Sequence, residues 1–425
     1  MRMSKICFKK LLVIAICVLN IFSLCSCHST GRFKKLDLDQ RIIVNAMGID
    51  ITEDEEFEVT LQILSLEGSG TNTPIDPSKS NSAIVSQVAD TIPAAIEQCE
   101  TDLGKTAFLG HTELILLGRS VEDLNPVMDY VINAQGISLG IYMAYTDITA
   151  KEILDIKVKS GAYSAEVLKE VFEESLKNGI STECELIKHI DNIESTKGTT
   201  VMPIIKKIKN NKKSSKEKKS SSSELDFGEN KSDSKIEAGN EKLEGGSEDS
   251  GSGGEESGGG SQESEETAFY IDGAVIVKNK RPHSVMTRDE IAGLSFLNSS
   301  VAKQTFNARL GDMLTAVSVN STKKDSKVSI KNNRIVLDIH LTISYEFYIN
   351  YSDKDKKEAA EDVTKQVYSL CDQAIDKALI QENADIFEIH TLLNHNDYKL
   401  YEEYMKNPDE VLKMVDINVS INPQI

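Results

Sequence analysis

Few residues of this chain have the types and spacing that chemistry needs. His111 is a single imidazole at the start of an apolar run. His390 and His395 lie five residues apart on an expected helix, whereas two imidazoles that share a metal on a helix sit at i, i+4. Glu346 stands in an otherwise apolar alternating run, and a solvent-facing carboxylate accounts for it. Cys99, Cys184 and Cys371 are too widely spaced for a zinc site or a disulfide framework. They read as small buried hydrophobes. No Gly-rich phosphate loop, no Gly-x-Ser-x-Gly and no His-Glu-x-x-His occurs. The sequence therefore asks for no catalytic residue, no metal and no cofactor, and the chain reads as a non-enzyme.

The start of the chain carries a different chemistry. Lys9 and Lys10 precede an apolar run from Leu11 to Leu24. A bilayer core of about 30 Å wants about 20 apolar residues, so the run is short for a span. A basic end, a short apolar run and a small residue before a cut make a secretory signal. Leu24-Cys25-Ser26-Cys27 resembles a bacterial lipobox, with small Ser26 before the cut and Leu24 three residues ahead of Cys27. Residues 1–26 are then a lipoprotein signal peptide, and Cys27 becomes an S-diacylglycerol, N-palmitoyl cysteine. Each buried methylene contributes about 0.8 kcal/mol, so two or more acyl chains hold a soluble fold at a membrane. Residues 27–36 read as a lipidated tether, with Arg32, Lys34 and Lys35 placed for anionic headgroups.

The 425 residues carry a net charge of −19, without the basic footprint of a nucleic-acid binder. Periodicity divides the rest. Residues 37–149 read as a first α+β domain: a strand over Ile42–Asp50, a strand over Phe57–Ile63 and a helix with Ile84, Val88, Ile92, Ala95 and Cys99 on one face. A strand at Thr112–Gly118, a helix at Val121–Asn133 and a strand at Ile137–Tyr145 follow. Residues 150–298 read as a middle domain, interrupted by a low-complexity insert at 206–267. Eight lysines in Lys206–Lys219 are followed by fourteen acids in Glu224–Glu266 among Ser, Gly and Asn. Such a stretch has almost nothing to bury and reads as disordered. Phe269–Lys280 is a strand ending in a turn, and Thr287 with Glu290 forms a capping box before a helix. Residues 299–425 read as a C-terminal α+β domain. It has strands at Lys327–Ile330 and Ile335–Ile349, a helix at Asp353–Asn383, helical pieces to Met405 and a last strand at Val415–Ile421. The fold class is α+β: three mixed domains with largely antiparallel sheets.

Four stretches together resemble the Ger(x)C family, the C subunits of spore germinant receptors. They are Cys27 with Leu38–Asp50 ending in Gly48-Ile49-Asp50; Gly110–Gly118; Asp272–Lys280 with Glu290-Ile291-Ala292-Gly293-Leu294; and Ala384-Asp385-Ile386-Phe387 with Tyr398-Lys399-Leu400-Tyr401. The chain departs from the family in having His28-Ser29 for Trp-Asp, Tyr401 for Trp and Ile132-Asn133 for Arg-Asp. The resemblance implies a non-catalytic lipoprotein on the outer face of the spore inner membrane. It also implies A-type and B-type integral-membrane partners and a fold of three α+β domains. Two other classes compete. A solute-binding lipoprotein of a transport system would have two similar lobes around a cleft. A surface-anchored enzyme would gather perturbed titratable groups in one pocket.

Overall fold

Leu114-Ile115-Leu116-Leu117 is apolar at every position, and every position is buried. A strand apolar on both faces needs cover on both. The computed structural model supplies it, and describes residues 40–64, 82–134, 136–156, 164–195, 198–208, 269–332 and 334–425. The signal peptide, Cys27, the 27–36 tether and all of the 206–267 insert beyond Ile208 lie outside the described residues.

The elements run β1 (Arg41–Ile51), β2 (Phe57–Leu64), β3 (Ser82–Ala89), α1 (Ile92–Leu103), β4 (Thr106–Phe108), β5 (Leu114–Leu117), α2 (Asn125–Asn133) and β6 (Tyr142–Thr146). Then come α3 (Ala150–Leu154), α4 (Ser164–Lys177), α5 (Leu186–Glu194), β7 (Thr199–Lys207), β8 (Phe269–Lys278), β9 (Arg281–Met286) and α6 (Arg288–Leu297). The chain closes with β10 (Gln304–Leu310), β11 (Met313–Lys331), β12 (Arg334–Phe347), α7 (Asp353–Ile375), α8 (Ile389–Asn396), α9 (Tyr398–Lys406), α10 (Pro408–Leu412) and β13 (Val415–Gln424).

The first sheet has the order β3-β2-β1-β5-β6-β7-β8-β9, with β4 paired to the start of β1. Its middle is parallel: β1 with β5, β5 with β6 and β6 with β7. Its flanks are antiparallel. Strand alternation sends Ile115 and Leu117 into one layer with α1, α2 and α5, and Leu114 and Leu116 into the opposite layer with α3 and α4. The division expected at 149/150 falls inside this unit, because β6 before it pairs with β7 after it.

The second sheet has the order β10-β11-β12-β13, antiparallel except for the β12–β13 pair. Ile335, Leu337, Ile339, Leu341 and Ile343 are buried, and His340 and Glu346 on the other face are exposed. One face is thus covered by α7, whose Val363, Val367, Cys371 and Ala374 are buried. The class is α+β, with both sheets mixed.

Helix α6 joins the two units. Ile291 to Leu297 are all buried, and one core runs from Ala274, Ile276 and Met286 through this helix to β12 and α7. The crossing with α7 is close at Gly293, where an added Cβ would lie 1.9 Å from the Leu370 carbonyl oxygen.

Several elements differ from the sequence reading, for identifiable reasons. The helix expected from Ile84 is strand β3 followed by α1. Ile84, Val88 and Ile92 are an even number of residues apart, so they satisfy a strand period as well as a helical one. Pro93, at the start of α1 behind the N-cap Thr91, sets the true helix boundary. Likewise Pro126 starts α2 at Asn125 rather than at Val121. The strand expected at 137–145 is the shorter β6. The turn after β8 uses Asn279 and Lys280, both at positive φ, and returns as β9, whose polar alternation gave no apolar signal. Strand β10 and the first half of β11 were not anticipated, although Phe306 and Ala308 on the one and Val317 and Val319 on the other are buried at alternate positions.

Gly293→Ala should cost about 1–3 kcal/mol in denaturant unfolding, because the methyl meets backbone rather than a yielding side chain. Gly140→Ala, where the nearest atom to the added Cβ is Ser138 Oγ at 3.7 Å, should stay within about 0.5 kcal/mol of wild type. Equal midpoints for the two variants would contradict the close helix crossing.

Candidate functional site

The four stretches that carry the family resemblance become a frame of caps and close approaches. Asp50 is the last residue but one of β1 and is buried. Its Oδ1 accepts from the Ala150 N–H at 2.9 Å and its Oδ2 from the Lys151 N–H at 3.2 Å. A carboxylate from the central strand therefore caps α3, where backbone N–H groups lack helical partners. Gly118 follows β5 against the same carboxylate, and a Cβ there would lie 1.6 Å from Asp50 Oδ1. The Gly-Ile-Asp stretch and the Leu-Leu-Gly stretch thus specify one contact. Burial pushes the Asp50 pKa up; the two N–H groups oppose it, but the net direction is upward.

The third stretch is geometric. Gly273 in β8 has φ +89°, and a Cβ there would lie 2.7 Å from the Met286 carbonyl oxygen of β9. Thr287 Oγ1 accepts from the Glu290 N–H at 3.3 Å, and Glu290 Oε2 accepts from the Thr287 N–H at 2.6 Å. This is the expected capping box, at the entry to α6.

The fourth stretch holds the most heavily bonded acid. Asp385 is 1% exposed. It accepts from the Ile389 N–H (2.9 Å), the His390 backbone N–H (3.0 Å), the Nδ1–H of His390 in that tautomer (3.2 Å) and the Tyr404 hydroxyl (3.0 Å). Burial alone would raise its pKa, but the bonds from His390 and Ile389 outweigh it and hold the carboxyl below the usual range. The Tyr404 phenol is pushed up, first by burial and then by Asp385. His390 is therefore a ligand of Asp385, while His395 is exposed at the end of α8, so the two imidazoles have separate surroundings. His111 is exposed, its ring 5.4 Å from that of Phe108. Glu346 is exposed and accepts from Asn320 Nδ2.

Cys99, Cys184 and Cys371 are buried, and burial pushes their thiols up to about 11, 12 and 12. No group of three or more His, Cys, Asp or Glu side chains among the described residues could hold a metal ion. No helix among them is long and apolar enough to cross a membrane. The sequence reading passed over His189, which is buried with Nδ1 2.9 Å from Thr200 Oγ1. A signal was present: His189 shares the buried stripe of α5 with Leu186 and Ile193.

Asp385 makes a pH prediction of definite sign. Its folded pKa is depressed, so its stabilisation is complete above the unfolded value and is lost as pH falls through the folded one. Asp385→Asn should cost about 3 kcal/mol at neutral pH, as removal of one buried partner does. It should also flatten the loss of stability below the usual carboxylate range, read by urea unfolding at a series of pH values. An unchanged acid limb would mean that the carboxylate is not ionised in the fold.

Two family models cover most of the chain. "Spore germination protein N-terminal domain" matches residues 34–207, and "Spore germination B3/ GerAC like, C-terminal" matches residues 271–425. No curated protein matches the chain. A solved structure, described as the crystal structure of the GerBC protein, is similar at a TM-score of 0.51 and 12% identity. The similarity covers 89% of this chain and 96% of that one, and at this identity it speaks for the fold. With both models in order along one chain, and the gap between them falling where β7 and β8 flank the insert, the chain belongs to the spore germination GerAC-like family.

Proposed function

We propose that this chain is the lipid-anchored C subunit of a spore germinant receptor, held on the outer face of the spore inner membrane through acylated Cys27. It works there as a non-catalytic scaffold beside an A-type and a B-type integral-membrane subunit in nutrient-triggered germination. The observation that carries this reading is family membership over both halves of the chain, joined to the lipobox Leu24-Cys25-Ser26-Cys27.

The physical contribution of such a subunit is local concentration. Residues 28–40 separate the anchor from β1, and fully extended they span at most about 45 Å. A fold on so short a leash meets membrane partners at millimolar-scale effective concentration without added contact energy. The solute-binding alternative has less support. It needs two similar lobes, and here a sheet covered on both faces adjoins a smaller sheet covered on one.

Cys27→Ala is the test. The variant should leave the spore membrane fraction, lose its acyl mass and slow nutrient-triggered germination. Retention in the membrane without acyl groups would reject the lipobox. Detachment with normal germination would reject the receptor role.

A further inference from the structure

Helix α6 has two contrasting sides at the seam between the units. Against α7 it packs closely at Gly293, whose carbonyl oxygen lies 4.0 Å from the Cys371 Sγ, with a cavity of about 610 Å³ at the edge of this contact, lined in part by Arg288, Asp289 and Gln366. Towards α5 and β7 it is polar, and a cavity of about 130 Å³ opens there, lined also by Ile386 and Glu388. Ser181, Thr200, Ser295 and His189 around it are each at most 3% exposed.

Buried polar groups cost stability unless they are hydrogen-bonded, and these are partly built into a network. Ser295 Oγ donates to the Ser181 carbonyl at 3.4 Å, and Ser300 Oγ to the Ser295 carbonyl at 3.1 Å. Thr182 Oγ1 donates to the Val201 carbonyl at 3.2 Å, and Asn192 Nδ2 to Thr200 Oγ1 at 3.4 Å. Adhesion alone would be served by apolar residues such as Ile291 and Leu297. Here the helix and its C-cap present Ser295 and Asn298 to a cavity.

Size and chemistry narrow the occupant. The cavity exceeds one water, about 30 Å³ in the liquid, and falls short of the roughly 300 Å³ at which drug-sized pockets begin. His189 is neutral at physiological pH, because burial brings its pKa down to about 4 against the opposing Met143 carbonyl. Glu183 and Glu388 line the rim with Lys188, an excess of negative charge that disfavours anions. The amides of Asn192 and Asn298 offer both donors and acceptors, and the rim carboxylates accept only. Val201, Leu294 and Ile386 supply an apolar floor for C–H groups. We propose that this seam cavity binds a small uncharged polyhydroxylated molecule, its hydroxyls on Asn192, Asn298, Glu183 and Glu388 and its carbon skeleton on Val201, Leu294 and Ile386. The assignment stands apart from the Cys27 anchor and from any receptor partner.

Titration calorimetry on the purified full-length protein tests it, with glycerol, ribose and glucose as probes and acetate as the charged control. Saturable one-site binding of at least one polyhydroxyl probe is expected. Loss of one good hydrogen bond should make that binding about tenfold weaker in Asn192→Ala and in Asn298→Ala, with both variants folded by circular dichroism. Hydrogen exchange on the wild type needs no variant, and ligand-induced protection should fall in α5, β7 and α6. Absence of saturable binding for all three probes, affinity unchanged in both variants, acetate binding as tight as the polyols, or protection elsewhere would each overturn the proposal.

Discussion

The structure depends on one helix that has no face to spare. From Ile291 to Leu297 every residue of α6 is buried, and a helix buried all round must be covered from all sides. Strands β8 and β9 cover it from one side, and α7 with β12 from the other, with Gly293 setting how near α7 comes. Around this helix Ala274 and Ile276 of the first sheet share a core with Leu337 and Ile339 of the second. Lys278 reinforces the joint, donating to the Asn383 carbonyl at 2.9 Å and to Asp409 at 2.8 Å. Such continuity favours loss of both units together on unfolding.

The same frame accounts for where a long insertion is tolerated. Lys207 and Phe269 are paired neighbours in the β7–β8 ladder, so the ends of the intervening stretch are already side by side. Closing a loop of that length costs roughly 2–3 kcal/mol more than closing a tight turn, because the cost grows only with the logarithm of length. The ladder runs on to Thr199 and Lys278, with Met202, Ile205, Ala274 and Ile276 buried along it. Burial of about 1.5–3 kcal/mol per large apolar side chain offsets the closure several times over. An insert of almost any composition is admissible there, provided it stays soluble.

The sequence was legible where periodicity and burial agree, and illegible where polar residues build structure. Leu114–Leu117, the Ile335–Tyr345 alternation, the Val363–Ala374 stripe and the Thr287 capping box could be read directly because each repeats the geometry of its element. Strand β9 could not, since Arg281-Pro282-His283-Ser284 is an edge segment with no buried apolar residue before Met286, whereas in β10 the alternation of Phe306 and Ala308 into the core was a signal that went unread. The site was half legible. Its stretches were visible as words, but their meaning is tertiary: Gly118 is small because Asp50, distant in sequence, occupies its Cβ position. Asp385 and Asp50 look alike in the sequence, yet burial wins at Asp50, which has two N–H donors and Glu58 nearby, and loses at Asp385, which has four donors.

A fold with a polar cavity at its seam is coupled in a definite way. A molecule that binds the folded seam and not the separated units adds RT ln(1 + [L]/Kd) to the free energy that holds them together. At a hundredfold excess over Kd this is about 2.7 kcal/mol. A partner resting on only one unit would feel none of it. A partner bridging both would bind more tightly when the cavity is filled, by the ratio of the ligand's affinities for the two arrangements and no more. Since α6 carries both the close contact with α7 and one wall of the cavity, a filled cavity acts on the α7 side of the molecule through that helix.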